Sequence, residues 1–480
     1  MSTKQSQQPE SFRDSISTVD AKGDRVWLYP KKPSGRYYNA RKWLAYVLIG
    51  LFFAGPFLKI GGQPLLMFNL FDRKFVLFGY LFVPQDFHIF VLLMILMIVF
   101  IVLFTVVYGR VWCGWACPQT VFMEMVFRRI EYWIEGDASK KKKLDKMPWN
   151  REKILKKGFK HTLFVLFSLA IANMVLGYIF GGEQLMQMVA SSPLENWDIF
   201  VAHVAFAGVF YAVFARFREQ VCIAVCPYGR LQGVFLDKDS VVISYDHIRG
   251  EPRGKLKKGN KKKEEAERKL QLEDVKPQGD CIDCSLCVQV CPTGIDIRNG
   301  TQLECINCTA CIDACDEVMD KIEKPRGLIR FASANDIEEK KPFKWTIRML
   351  AYTGVLCLLL GAVGFLLGGR SKVETTVLRA PGMTYQVADN GDIRNLYTIQ
   401  LVNKTHEEIP ISVKLIEPAG QLTVAGGDMV IEKEGIYKGA FFIEIDPSLL
   451  DGARNTITLE IYSGEELLET IDSRFLGPIK

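Results

Sequence analysis

Up to about residue 370 the apolar residues of this chain come in long blocks, not in short alternations. Five blocks approach the roughly 20 residues that a bilayer-crossing helix needs: Trp43–Lys59, His88–Tyr108, His161–Phe180, Ile199–Phe217 and Trp345–Leu367. A sixth block, Leu65–Val83, is interrupted by Asp72, Arg73 and Lys74 and reads as an interfacial or re-entrant piece. After Ser371 the period shortens. NLYTIQLVN, IPISVKLI, GAFFIEI and NTITLEIYS alternate in the manner of strands, with Pro, Gly, Asn and Asp between them. Several short strands at that spacing predict an antiparallel sandwich of immunoglobulin type. The tail has no cysteine, so it reads as a binding or docking module and not a catalyst.

Charge adds an orientation. The net charge is +6, with basic residues gathered beside the apolar blocks. That pattern fits membrane orientation and not nucleic-acid binding. Arg110–Lys160 and Arg216–Lys344 are rich in Lys and Arg, whereas Gly181–Trp197 has neither. The N-terminus and both basic stretches are therefore expected in the cytoplasm, and five spans put the tail on the opposite side. The first 40 residues are polar and resemble no cleaved signal, so the first block is expected to remain as a span. Lys255–Leu270 alternates in charge and predicts a solvated linker helix.

Of the 13 cysteines, twelve stand in close groups, which argues for metal ligation and against a secreted disulfide framework. CIDCSLCVQVCP (Cys281–Pro292) and CINCTACIDAC (Cys305–Cys315) each read C-x2-C-x2-C-x3-C. In two-cluster ferredoxins the fourth cysteine of each run serves the other cluster. One 4Fe–4S cluster is therefore expected on Cys281, Cys284, Cys287 and Cys315, and the other on Cys305, Cys308, Cys311 and Cys291. Asp316 stands where the second run would have its proline. Two adjacent clusters make a one-electron relay, so the chemistry is redox. No dinucleotide fingerprint, P-loop or covalent haem signature accompanies it, so electrons come from a partner, a quinol or a loosely bound carrier.

Two shorter motifs, VWCGWACPQT (Val111–Thr120) and VCIAVCPYG (Val221–Gly229), place C-x3-C-P directly after an apolar block. Proline at a first helical turn puts Cys117 and Cys226 at helix N-caps, where thiolates are stabilised. Cys113 and Cys222 lie one turn upstream. Together the motifs offer four soft thiolates, a set that selects Cu(I), zinc or an iron–sulfur centre. His88 and His203 lie in or beside spans and are candidates for a metal, haem or quinol site, against simple packing. His161 reads as interfacial. Met186 and Met188 are possible copper contacts but read as apolar ones, as do Met94 and Met97. Cys357, alone in the last span, reads as packing.

At this point the chain resembles the cytochrome c oxidase accessory proteins of the CcoG/FixG/RdxA type. The resemblance rests on both cysteine-pair motifs, the ferredoxin runs, VWLYPKKPSGRYYNARKW (Val26–Trp43), SVVISYDHIRGEPRGK (Ser240–Lys255), KPRGLIRFAS (Lys324–Ser333) and the β tail. It covers about residues 20–480. It implies a multi-pass protein of the bacterial inner membrane, with two 4Fe–4S clusters on the eight ferredoxin cysteines. The implied activity is reduction of Cu(II) to Cu(I) for assembly of cbb3-type oxidases, with Cys113, Cys117, Cys222 and Cys226 as the copper-handling residues. Membrane lipid, copper chaperones or oxidase assembly factors and an electron donor of unknown kind are the implied partners, with no nucleic acid. Two other readings are a quinol-linked electron-transfer subunit and a non-redox assembly scaffold.

The expected fold is mixed: an α-helical membrane domain, an inserted two-cluster ferredoxin-like domain and an all-β immunoglobulin-like domain. The expected boundaries are 1–42, a cytoplasmic segment; 43–220, the membrane domain; 221–344, the cytoplasmic cluster domain; 345–368, the last span; and 369–480, the periplasmic sandwich.

Overall fold

The computed structural model describes residues 18–478 apart from 20–21, 23, 61–62, 70, 72–73, 83–86, 196, 256–277, 340–344, 370–372, 381, 383, 389, 406, 427–428 and 434. The expected linker helix at Lys255–Leu270 thus lies almost wholly outside the described residues. The chain forms two compact units. One comprises residues 1–58, 64–75 and 90–360, and the other residues 59–63, 76–89 and 361–480.

The helices that frame the site are α1 (Arg36–Ala54), α2 (Phe87–Tyr108), α3 (Val111–Trp115), α4 (Pro118–Phe122), α5 (Arg128–Ile134), α6 (Ala138–Lys146), α7 (Arg151–Phe180), α8 (Gly182–Ala190), α9 (Trp197–Ala212) and α10 (Pro227–Phe235). Four helices are long and apolar enough to cross a bilayer: Phe87–Tyr108, Arg151–Phe180, Trp197–Phe217 and Ile347–Gly368. The first apolar block forms α1, which falls short of that measure because Arg36, Arg41 and Lys42 occupy its early turns. Its contacts nevertheless follow the bundle from end to end. Asp313 accepts hydrogen bonds from the Tyr37 and Tyr38 amides, at 3.1 and 2.7 Å. At the other end Tyr178, near the C-terminus of α7, donates to the Phe52 carbonyl at 3.0 Å. Nineteen residues at 1.5 Å each give α1 about 28 Å. The interrupted block Leu65–Val83 forms short strands, Leu66–Asn69, Lys74–Leu77 and Tyr80–Phe82, and not a helix.

Between α5, α6, α7 and the start of the second cysteine pair lies a buried charge network. Glu131, 1% exposed, meets Lys141 at 2.5 Å, Lys160 at 3.7 Å and Arg218. Glu135 pairs with Lys157 and Lys160, each at 2.9 Å. Burial opposes the Glu131 charge, but Arg218, Lys141 and Lys160 together outweigh it and hold the carboxyl well below the usual range. A carboxylate with a depressed pKa stabilises the fold above its unfolded value, about 4.3. That contribution is lost progressively as pH falls from there to the folded value. Glu131→Gln leaves three buried cations without their shared anion. It is expected to cost about 3–5 kcal/mol, read as a lower thermal midpoint of the detergent-solubilised protein at neutral pH.

The second unit carries the β tail. Its strands are β1 (Val373–Arg379), β2 (Gln386–Val387), β3 (Ile393–Asn403), β4 (Ile409–Glu417), β5 (Gln421–Ala425), β6 (Met429–Ile431), β7 (Ile436–Ile445), β8 (Arg454–Ser463) and β9 (Glu466–Leu476). One sheet runs β5-β7-β3-β1 with β2 beside β3, and the other β6-β4-β8-β9. Every pairing is antiparallel. On neighbouring strands of the first sheet, Tyr397 and Phe441 stack at 5.5 Å in the core. The Tyr397 hydroxyl and the Asn395 amide tie the two sheets through the Arg474 and Leu476 carbonyls, both at 2.8 Å.

Candidate functional site

The two ferredoxin runs fold as near copies. In each, the backbone turns left-handed at matching positions: Asp283 and Ser285 in the first, Asn307 and Thr309 in the second. Such conformations are uncommon for residues with a Cβ and cluster at functional loops. Here they wrap the chain so that the cysteines face inward. Cys281, Cys284, Cys287 and Cys315 line one cavity of about 370 Å³. Cys291, Cys305, Cys308 and Cys311 line its neighbour, of about 330 Å³, and Cys287 lies on the shared wall. The remaining lining is chiefly Ile, Leu, Val and Met, with Tyr245 and Arg298 in the first and Thr293 in the second. The two segments flanking the runs close over them as an antiparallel strand pair, Val242–Tyr245 with Ile329–Ala332.

The Pro-to-Asp departure at 316 has a local cause. Helix Ala310–Lys321 runs through that position, where proline would remove an amide and clash with the preceding turn. Asp316 instead accepts from the Gly327 amide at 3.0 Å and pairs with Arg36 at 3.6 Å.

The donor set fits iron–sulfur clusters. Burial pushes Cys287, Cys305 and Cys315 up to about 12, Cys308 up to about 11 and Cys311 well up. Thiolates so placed need strongly charged iron beside them. Among the described residues no three Cys, His, Asp or Glu side chains converge on a single ion. The gaps between these cysteines therefore suit a polynuclear group better than one zinc.

Both C-x3-C-P motifs end in the same N-cap geometry. Cys117 and Cys226 have extended backbones at N-caps, each followed by proline at the first helical position. Cys113 lies in α3, and Cys222 in a wide π-type turn, Val221–Val225. Such turns are frequent at functional sites. Burial pushes Cys113 up to about 11, with a Gln232 hydrogen bond opposing it and Cys117 and Cys226 adding to it. Burial likewise pushes Cys222 up to about 12, and Cys117, Cys113 and Cys226 all add to it. The four thiols thus influence one another at one half-buried locus, though among the described residues they do not close into a single-ion cage. Gln232, fully buried on α10, donates to the Cys113 sulfur at 3.3 Å and so links the two motifs.

Cys113 is the member of this locus that reaches the second cavity's wall. Cys113 packs against the apolar cluster that contains Ile306 and Cys308. A Cβ on Gly114 would lie 2.3 Å from the Ile306 carbonyl oxygen and 3.0 Å from the Asn307 carbonyl. Only glycine lets α3 rest on the loop between Cys305 and Cys308. Arg110 completes the junction by donating to the Leu303 and Gly229 carbonyls. Neither Gly114 nor Arg110 announced itself by residue type; proximity to the VWCGWACP motif was their one signal.

The other candidates lie apart. His203 lines a separate, partly open pocket with Asn173, Gln184, Gln187 and Met188, and its buried Nδ1 has no partner among the described residues. His88 opens α2 with an exposed side chain. His161 meets the Tyr211 hydroxyl at 2.9 Å. Met94, Met97 and Met186 are exposed, as is Cys357 in the last span.

Comparison with known proteins agrees with this layout. Residues 217–334 match the family described as 4Fe-4S dicluster domain, residues 90–143 a 4Fe-4S binding domain, and residues 363–478 the IG-like fold at the C-terminus of FixG. Protein RdxB of Cereibacter sphaeroides is 36% identical over 409 residues, covering 82% of each chain. Nitrogen fixation protein FixG of Rhizobium meliloti is 32% identical over 440 residues, 83% of this chain and 81% of that one. Protein RdxA of Cereibacter sphaeroides is 34% identical over 400 residues, 80% of this chain and 81% of that one. With the paired cysteine cavities, the apolar helices and the β-sandwich in place, the chain belongs to the FixG/RdxA family of membrane iron–sulfur electron-transfer proteins.

Proposed function

We propose that this protein is a cupric reductase, passing single electrons to Cu(II) and releasing Cu(I) for assembly of a cbb3-type cytochrome c oxidase. The observation that carries the reading is the seating of Cys113 and Gly114 on the Cys305–Cys308 loop, which brings the Cys113 thiol beside the second cavity. Cys281, Cys284, Cys287 and Cys315 would hold one 4Fe–4S cluster, and Cys305, Cys308, Cys311 and Cys291 the other. Such clusters supply one-electron transfer. Cys284 is the exposed cysteine of the ferredoxin set and marks the side where an electron donor docks. Cys113, Cys117, Cys222 and Cys226 receive substrate copper, and their sulfurs favour the Cu(I) product. Each turnover oxidises the donor by one electron and reduces one Cu(II), with no proton required. By the charge of its loops the cluster region faces the cytoplasm, and the sandwich is the module that meets chaperones or oxidase assembly factors.

A quinol-linked relay is the second reading, favoured by the His203 cavity. That cavity is remote from the cysteines: His203 to Phe217 alone spans about 21 Å of helix. The test is anaerobic. Purified protein is reduced, Cu(II) is added, and cluster reoxidation is followed beside Cu(I) capture by a specific chelator. One Cu(I) per electron lost is expected. No Cu(I) from fully reduced protein would end the copper reading, and cluster reduction by a quinol would then favour the second.

A further inference from the structure

The two cysteine cavities differ in the charge built around them. At the first, the lining residue Arg298 is neutralised, since it pairs with Asp283 at 2.5 Å and with Asp296 at 2.7 Å. At the second stand two buried arginines, Arg41 and Arg110, 3% and 5% exposed. Neither has an ion-pair partner among the described residues. Arg41 donates to the Cys308 carbonyl at 3.4 Å, and Arg110 donates to the Leu303 and Gly229 carbonyls. Arg41 Nη2 and Arg110 Nε are buried without an acceptor among the described residues. The groups that face the Arg110 charge are Cys113, Cys305, Glu304 and Tyr228. Arg110 therefore stands three residues before the first cysteine pair, grips the backbone two residues before Cys305, and grips the backbone three residues after Cys226.

A cluster held by four thiolates is anionic and becomes more so on reduction. A buried, unneutralised cation stabilises the reduced form more than the oxidised one and raises the potential. Resting on the reading of these cavities as an electron relay, we propose that Arg110, assisted by Arg41, makes the second cluster the higher-potential member of the pair. Electrons arriving beside Cys284 then run downhill toward the paired cysteines. Arg110 is a positioning residue in this scheme: it acts through the cluster and touches no substrate.

The test is an EPR-monitored redox titration of the full-length protein in detergent, with iron content measured and no copper present. Its outcome is thus independent of whether copper is the substrate. The wild type is expected to show two separated midpoints. In Arg110→Gln the higher midpoint should fall by at least a tenfold change in reduction equilibrium, about 59 mV for one electron, while the lower stays in place. Arg110→Lys should keep the wild-type value, and Arg41→Gln should shift the same midpoint by less.

Coincident wild-type midpoints would overturn the proposal. So would a full-iron Arg110→Gln protein whose higher midpoint is unmoved, or one in which both midpoints move equally. Should Arg110→Gln and Arg110→Met both lose iron, Arg110→Lys decides. Retained clusters at the wild-type potential support a role for the charge, and lost clusters reduce Arg110 to a bracket between loops.

Discussion

With Cys113, Cys117, Cys222 and Cys226 all changed to serine, the reduced protein is expected to yield Cu(I) at least about tenfold more slowly, a barrier increase of about 1.4 kcal/mol. Its iron content should match the wild type. The substitution exchanges soft sulfur for hard oxygen at the positions proposed to hold copper, and hard donors favour Cu(I) less. It is mild for the fold. Serine is a good N-cap, so Cys117 and Cys226 sit where the replacement suits the helix that follows. At Cys113 a serine hydroxyl keeps a hydrogen-bonding partner for Gln232. The informative comparison is rate per reduced cluster, because free Cu(II) reacts with many reductants. An unchanged rate would remove these four residues from the copper path while leaving the electron relay intact.

Gly114→Ala should uncouple the two halves of that relay. The added Cβ meets the Ile306 carbonyl oxygen at 2.3 Å, and that atom belongs to the backbone and has no rotamer to escape into. Either α3 or the Cys305–Cys308 loop must move. Overpacking of this kind costs about 1–3 kcal/mol, and the displacement widens the gap between Cys113 and the second cavity. Cluster reduction by an external reductant should be normal, whereas Cu(I) formation should slow by about tenfold or more. Wild-type Cu(I) rates in Gly114→Ala would mean that electrons leave by another route.

Much of this site was legible along the chain because its chemistry is local. The spacing of thiols in Cys281–Cys315 already implies the exchange of Cys291 and Cys315 between cavities, and the structure brings those cysteines together in those groups. Pro118 and Pro227 likewise announce the N-caps before them. The β tail was half visible: β3, β4, β7 and β8 alternate cleanly, while β9, ELLETIDSRFL, is too polar to stand out.

What stayed hidden depends on contacts between distant residues. Nothing near Gly114 foretells Ile306. The basic turns of α1 read as the flank of a span, yet Arg36 pairs with Asp316 and the buried Arg41 turns inward to the Cys308 carbonyl. The charges at 72–74 marked a break in the sixth block without revealing that strands would form around it.

The cap on α1 bears on how the protein is made. Helix α1 has no side chain of its own to close its N-terminus. Gly35, at φ 140°, lies so near Asp313 that any side chain there would collide with it. The Tyr38 amide waits for a carboxylate 275 residues downstream. The ribosome must therefore finish nearly two-thirds of the chain before the amide cap of α1 can form. Its partner lies between Cys311 and Cys315, inside the iron-binding run. A disturbed iron site is therefore expected to loosen the start of that early helix, read as faster N-terminal proteolysis in iron-starved cells.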